Sequence, residues 1–112
     1  MATTPSIDSC IAACTACQRI CIETVGHCLA RGGAYAEPKH VNLLLACADI
    51  CATSANTMLR DVELHTATCA ACAQLCGACA SACEGMDDDE AMPRCAEACR
   101  RCESECAAMS GE

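Results

Sequence analysis

The chain has 112 residues, 16 of them cysteine, and a formal net charge of −8. The length predicts one domain over residues 1–112, and an acidic chain with Tyr35 as its one aromatic residue is not typical of nucleic-acid binding. We expect no membrane partner and a cytoplasmic location, because no apolar run approaches the ~18 residues of a membrane span and the N-terminus does not resemble a secretory signal.

The first two predicted helices span about 5–31 and 38–59. Thr4 and Pro5 can cap and open the first helix, with proline at the first helical position, and Gly32-Gly33 can close it. Pro38 is suited to open the second helix, because the missing N–H of a proline costs nothing there.

The last two predicted helices span about 62–84 and 90–109. Asp61 is the predicted N-cap of the third helix, Glu63 is expected in its first turn, and Gly85 is expected at the left-handed position that ends it. Acidic residues 87–90 suit the start of the fourth helix, and Pro93 is tolerated only in its first turn.

Cysteine must supply much of the hydrophobic core. Ile, Leu and Val together number 15, and Phe and Trp are absent, whereas alanine, which favours helices, is the commonest residue. So few large apolar residues would predict disorder, but cysteine also behaves as a small apolar residue. The thiols are therefore predicted to be buried, either free or as metal ligands.

The cysteines follow a helical repeat. Within their four groups, seven intervals are of four residues, four are of three and one is of seven, as on a helix that faces a bundle seam. Short loops make neighbouring helices antiparallel, so we predict an all-α, up-down-up-down four-helix bundle with a cysteine-lined core. The residues of this stripe are Cys10, Cys14, Cys17, Cys21, Cys28, Cys47, Cys51, Cys69, Cys72, Cys76, Cys79, Cys83, Cys95, Cys99, Cys102 and Cys106.

Antiparallel alternation predicts which residues collect at each end of the bundle. One end should hold Cys10, Met58, His65 and Met109. The other should hold Cys28, His40, Leu44, Cys83, Met86 and Met92. Between them we expect layers such as Cys14, Cys51, Cys72 and Cys102.

Several chemistries could use a stripe of thiols. Disulfides within a regular helix would distort it, because side chains three or four apart are too distant for the bond. The spacing lacks the C-x2-C-x2-C-x3-C-P run of iron–sulfur proteins. An iron–sulfur (ferredoxin-like) protein, zinc on paired C-x2-C motifs and a metal-free thiol redox buffer remain the alternatives. Cu(I) is favoured, because soft sulfur ligands select it and one Cu⁺ per thiolate leaves the interior neutral.

Segments 95–109 (CAEACRRCESECAAM) and 46–51 (ACADIC) carry a resemblance. With the repeated Cys-x3-Cys and Cys-x2-Cys spacing, they resemble the cytosolic branch of the bacterial copper storage proteins. The resemblance covers roughly residues 7–109. It implies many Cu(I) ions inside each bundle and association of bundles into a homotetramer. Ser54 departs from a fully cysteine stripe in the second helix.

These observations predict a protein that stores and sequesters Cu(I) and is not an enzyme. All sixteen cysteines are predicted ligands. Met58, His65 and Met109 are predicted ligands at the end where copper enters, although the two methionines could instead be an apolar plug. A copper donor or acceptor protein is not identified by the residues.

Overall fold

The computed structural model describes residues 6–86 and 89–111, and these are almost entirely helical. The four helices are α1 (Ile7–Arg31), α2 (Pro38–Leu59), α3 (His65–Glu84) and α4 (Ala91–Met109), and a single 3-10 turn over Gly33–Ala36 joins the first two. No strand occurs within the described ranges. The predicted all-α class with four helices is confirmed.

Side-chain contacts between α1 and α4 establish the antiparallel arrangement. Cys10 contacts Cys106, Cys14 contacts Cys102, and Cys17 contacts Cys99, so the partner number falls as the chain number rises. Cys47–Cys76 and Cys51–Cys72 show the same descending order between α2 and α3. Each helix packs on the next in sequence and α4 packs on α1, which is the predicted up-down-up-down bundle.

The first helix begins at Ile7, two residues later than predicted. Ser6 is its N-cap, with the Ser9 backbone N–H donating to the Ser6 hydroxyl at 3.3 Å. The predicted roles of Thr4 and Pro5 fall outside the described residues. At the other end Gly32 adopts φ 78°, which a side chain would disfavour, so α1 ends there as predicted.

The predicted N-cap role of Asp61 is wrong. Asp61 has φ 57° and lies at the left-handed position that ends α2: its N–H bonds to Met58 O and the Val62 N–H bonds to Thr57 O. These two bonds form a Schellman motif. The chain needs a further short turn before α3 starts at His65, so Glu63 precedes the helix instead of occupying its first turn.

Of the two predictions about the end of α3 and the start of α4, the first is wrong in its backbone conformation and the second is confirmed. Gly85 ends α3 but has φ −77°, so it does not occupy the predicted left-handed position. Pro93 lies in the first turn of α4, as predicted. Asp89 caps this helix by accepting hydrogen bonds from the backbone N–H groups of the first two helical residues, at 3.1 and 3.2 Å. Residues 87 and 88 of the acidic run fall outside the described ranges.

The core of the bundle is made of thiols. All sixteen cysteines are at most 1% exposed, and Leu44, Met58 and Met92 are buried with them. The outer apolar residues of α1 divide into two kinds: Ile11 and Val25 pack against the core, whereas Ile22 and Leu29 are more than half exposed.

Helix α3 is, by length and composition, apolar enough to cross a membrane, with a mean hydropathy of 1.3 over its window. This differs from the expectation that no run approaches a span, because alanine and cysteine count as apolar on that scale. In the bundle its five cysteines face the core, as in the buried helix of a helical bundle.

Candidate metal centre

Cysteines of all four helices form one continuous column along the bundle axis. Because the intervals are three and four, every thiol of a helix lies on the same face. Neighbouring sulfurs approach to between 3.5 and 3.9 Å, both within a helix and between helices. A disulfide bond would need about 2.05 Å, and all sixteen cysteines are free thiols.

The column consists of overlapping groups of four thiols. Within each group the four sulfurs lie within 4.8 Å of one another, every member is buried, and neighbouring groups share members. The groups include Cys14/Cys72/Cys102/Cys106, Cys51/Cys72/Cys76/Cys102, Cys17/Cys47/Cys51/Cys76, Cys17/Cys21/Cys47/Cys99 and Cys21/Cys79/Cys95/Cys99. The predicted layer of Cys14, Cys51, Cys72 and Cys102 is divided between the first two of these groups.

The spacing of the sulfurs suits a soft monovalent ion. Two sulfurs each about 2.3 Å from one metal ion lie about 4.5 Å apart when the unit is linear and closer when it is bent. The observed separations therefore allow an ion between neighbouring thiols with only rotamer adjustment. Because neighbouring groups share cysteines, they are not independent tetrahedral sites. Structural zinc usually occupies a closed tetrahedral site with four ligands of its own.

Burial and thiol–thiol hydrogen bonds control the protons of the column. Burial raises the pKa of Cys69 to about 11 and also raises the pKa of Cys28. Cys10 is the opposite case: its hydrogen bond with Cys106 is the main cause that lowers its pKa to about 4. Bare thiolates are costly to bury, so an incoming cation must displace the proton of each thiol whose pKa is raised.

The end that holds Met58 is continuous with the column. Met58 is 4% exposed, and its sulfur accepts a hydrogen bond from the Cys69 thiol at 3.9 Å. Met109 is half-buried and packs against the same core. His65 lies one helical turn before Cys69 and is half-buried. Its Nδ1–H donates to the Val62 carbonyl at 2.8 Å, which leaves the Nε2 lone pair available to a metal ion.

The opposite end is closed by larger side chains. Leu44 and Met92 are fully buried there. Cys28 contacts the ring of His40, with 3.6 Å between Sγ and Nε2, and His40 is 6% exposed. Burial lowers the pKa of His40 and keeps its ring neutral. Sequence reasoning assigned both residues to this end but did not pair them, because the offset between two helices is not encoded in either helix alone.

The cysteine stripe of α2 contains a serine. Ser54 lies on the cysteine stripe of α2, is fully buried, and its hydroxyl oxygen has no hydrogen-bond partner among the described residues.

His27 lies outside the column: its Nε2 is 2.8 Å from the carboxylate of Asp89, which Arg31 also contacts. His27 therefore joins α1 to the start of α4 and is not placed with the thiols.

Comparison with known proteins agrees with this geometry. The model of the copper storage protein family matches residues 3–111. A solved structure from Nitrosospira multiformis is 39% identical, covers 94% of each chain and has a TM-score of 0.89. Cu(I)-bound BsCsp3, a copper storage protein, is 33% identical over 92% of this chain and 96% of its own, with a TM-score of 0.85. Its apo form, from Bacillus subtilis, is 32% identical over 94% of this chain and 99% of its own, with a TM-score of 0.83.

Proposed function

Because this chain belongs to the copper storage protein family, we propose that it stores many Cu(I) ions on the thiolates that line its bundle. The proposed ligands are the sixteen buried cysteines of the bundle, with Met58, His65 and Met109 at the entrance. The four helices act as one domain, and the stored ions buffer the copper of the cytoplasm. Storage requires no chemical turnover, so the protein is not an enzyme.

The overlap of the four-thiol groups is the observation that carries this proposal. A protein that needed one structural ion would need one group, whereas here the groups follow one another along the axis and share members. Cu(I) accepts two or three soft ligands and tolerates sharing of sulfur. Zinc requires four thiolates for each ion, so every site would carry a net negative charge into the core.

Met58, His65 and Met109 support an entrance at their end of the bundle. The Met58 thioether contacts the thiol of Cys69, so a soft ion on the methionine is already beside the column. His65 keeps Nε2 available near the surface. At the other end Leu44 occupies the α2 stripe and contributes no ligand itself, so the column fills from the Met58 end.

The proposed assembly is a homotetramer. Ile22 and Leu29 support association, because both are large apolar side chains exposed on α1, and exposed apolar patches mark interaction sites. The net charge of −8 keeps the assembly soluble.

Anaerobic titration of the reduced protein with Cu(I), in competition with a chromogenic chelator, tests the function. We expect the protein to withhold about ten or more ions per chain, because each thiolate can replace its proton by Cu⁺. A Cys72→Ser/Cys102→Ser variant should withhold fewer ions and keep its far-UV circular dichroism. A break at one or two equivalents would contradict storage, and bound zinc and disulfide content would then be measured.

A further inference from the structure

The end of the bundle opposite the proposed entrance carries a pair of ligands of a different kind. Cys28 Sγ and His40 Nε2 lie 3.6 Å apart, and both residues are more than nine-tenths buried. A single ion about 2.3 Å from sulfur and about 2.0 Å from nitrogen needs these atoms about 4.3 Å apart when the unit is linear and closer when it is bent, so only a small rotamer adjustment is required. The pair therefore lies close to the separation of two ligands of one ion.

Along α1 and α2, two side chains separate this pair from the thiol column, and Cys95 of α4 is the column thiol that acts on both members of the pair. On α1 the stripe position between Cys21 and Cys28 is Thr24, which is buried and donates its hydroxyl to the Ile20 carbonyl at 2.6 Å. On α2 the position between His40 and Cys47 is Leu44, which is fully buried. Neither Thr24 nor Leu44 offers a soft donor, so an ion on the pair does not continue the column along these helices.

A cavity brings the His40 member of the pair to the surface. His40 lines a space of about 240 Å³ between α2 and the end of α3, together with Glu37, Lys39, Leu43, Ala82 and Met86. Glu37 and Lys39 are exposed at its rim, and Met86 places a thioether in its wall. An ion can therefore reach the imidazole from solvent without passing through the thiol column.

We infer that Cys28 and His40 form a separate mixed nitrogen–sulfur site for Cu(I), reached through the cavity between α2 and α3. The choice of ion rests on the proposed function. One imidazole and one thiolate give too few ligands for tetrahedral zinc but satisfy Cu(I). On binding, the thiol loses its proton to solvent, so Cu⁺ and the Cys28 thiolate form a neutral unit with the neutral ring.

Imidazole 15N NMR of the full-length reduced protein, titrated anaerobically with Cu(I), tests the site. We expect the Nε2 signal of His40 to shift as copper is added, while the signals of His27 stay in place. His27 is the matched internal control, because its ring is paired with Asp89 at the surface. An unmoved His40 signal in a protein that has filled its column with copper would overturn the inference.

Capacity measurements on variants give a second test. His40→Leu and Cys28→Ser should each lose about one Cu(I), and the double variant should lose no more than either, because one ion uses both ligands. His27→Leu should lose none. If Cys28→Ser loses an ion and His40→Leu does not, Cys28 belongs to the column and the inference is wrong. Failure of the storage proposal would look different: the column would take up no copper, while the His40 shift at the first equivalent would persist.

Discussion

Single residues of the stripe determine where a helix contributes no sulfur to the core. Cysteine is small and apolar and can also bind a soft metal ion, so one residue type can both fill the core and supply the proposed ligands. Where another residue occupies the stripe, as at Thr24, Leu44 and Ser54, packing is kept and a sulfur is lost. The serine differs from the other two, because a buried hydroxyl without a partner is unfavourable.

Replacement of Ser54 by alanine should raise the free energy of unfolding of the metal-free protein by about 1 kcal/mol, because the unpaired hydroxyl no longer has to be desolvated. Urea unfolding followed by circular dichroism measures the change. Ser104→Ala is the matched control, since Ser104 is exposed on α4 and reports the gain in helix propensity alone. A Ser54→Ala variant that gains no more than the control would contradict the unfavourable role of the hydroxyl.

Replacement of both His65 and Met109 by leucine should slow copper loading more than it reduces the final capacity, because the proposed entrance uses these residues to bind ions in transit. Stopped-flow mixing with a Cu(I)–chelator complex gives the rate, and the endpoint gives the capacity. The control is a variant in which Met86 and Met92, at the other end, are replaced by leucine. In this control variant the column should load at the wild-type rate. Equal rates in both variants would count against the entrance.

At the scale of the helices, the turn that ends α2 contains a residue in an unusual backbone conformation. Asp61 has a left-handed backbone because it completes the Schellman motif of α2. Asp61→Gly should therefore raise the free energy of unfolding by about 0.5–1 kcal/mol, since glycine adopts this conformation without a Cβ clash. Asp61→Ala, measured in the same urea unfolding experiment, should be destabilising. Loss of stability in the glycine variant would restore the N-cap interpretation of Asp61.

Asp89 joins two helix ends, and its contacts make stability depend on pH. The hydrogen bond with His27 is the main cause that lowers the pKa of Asp89 to about 2, from an ordinary value of 3.8. The carboxylate therefore stabilises the folded state above about pH 4, and this contribution disappears as the pH falls towards 2.

Thermal unfolding of wild type and Asp89→Asn between pH 2 and 7 measures this contribution. Asparagine still caps a helix but carries no charge, so the variant should melt at a lower temperature at neutral pH. The difference from wild type should shrink between about pH 4 and pH 2. Asp89→Ala, which also removes the cap, should melt lower still. Identical melting temperatures for wild type and Asp89→Asn at every pH would contradict the role of the charge.

The helix content and the inward-facing side of each helix were predictable from the sequence. The intervals of three and four residues between cysteines fit the 3.6-residue period of an α-helix and not the two-residue period of a strand. The start of α3 was not predictable, since aspartate favours both an N-cap and a left-handed turn, and the choice at Asp61 depends on how α2 ends. The pairing of Cys28 with His40 was also missed, because it depends on the axial offset between two helices. Ser54 could be recognised as a gap in the stripe, but its missing partner could not.

At the scale of the whole molecule, the bundle should not require metal to fold. The thiols are buried as small apolar residues, and alanine supplies helix propensity. A reduced sample treated with a chelator should therefore give a strongly helical far-UV spectrum, and added Cu(I) should change its helical signal little. The same sample denatured in urea is the reference for the unfolded chain. A random-coil spectrum for the chelated protein would show that metal binding drives folding.

The sharing of sulfurs between neighbouring groups has a consequence for how ions travel. Cys17 belongs to two groups, and so do Cys72 and Cys51. An ion that advances from one group to the next can therefore keep one bond to a common sulfur while it changes another. Movement along the axis becomes a series of ligand exchanges, with no step at which a bare cation crosses an apolar gap. Ions deep in the bundle can leave by the same sequence in reverse, without unfolding of any helix.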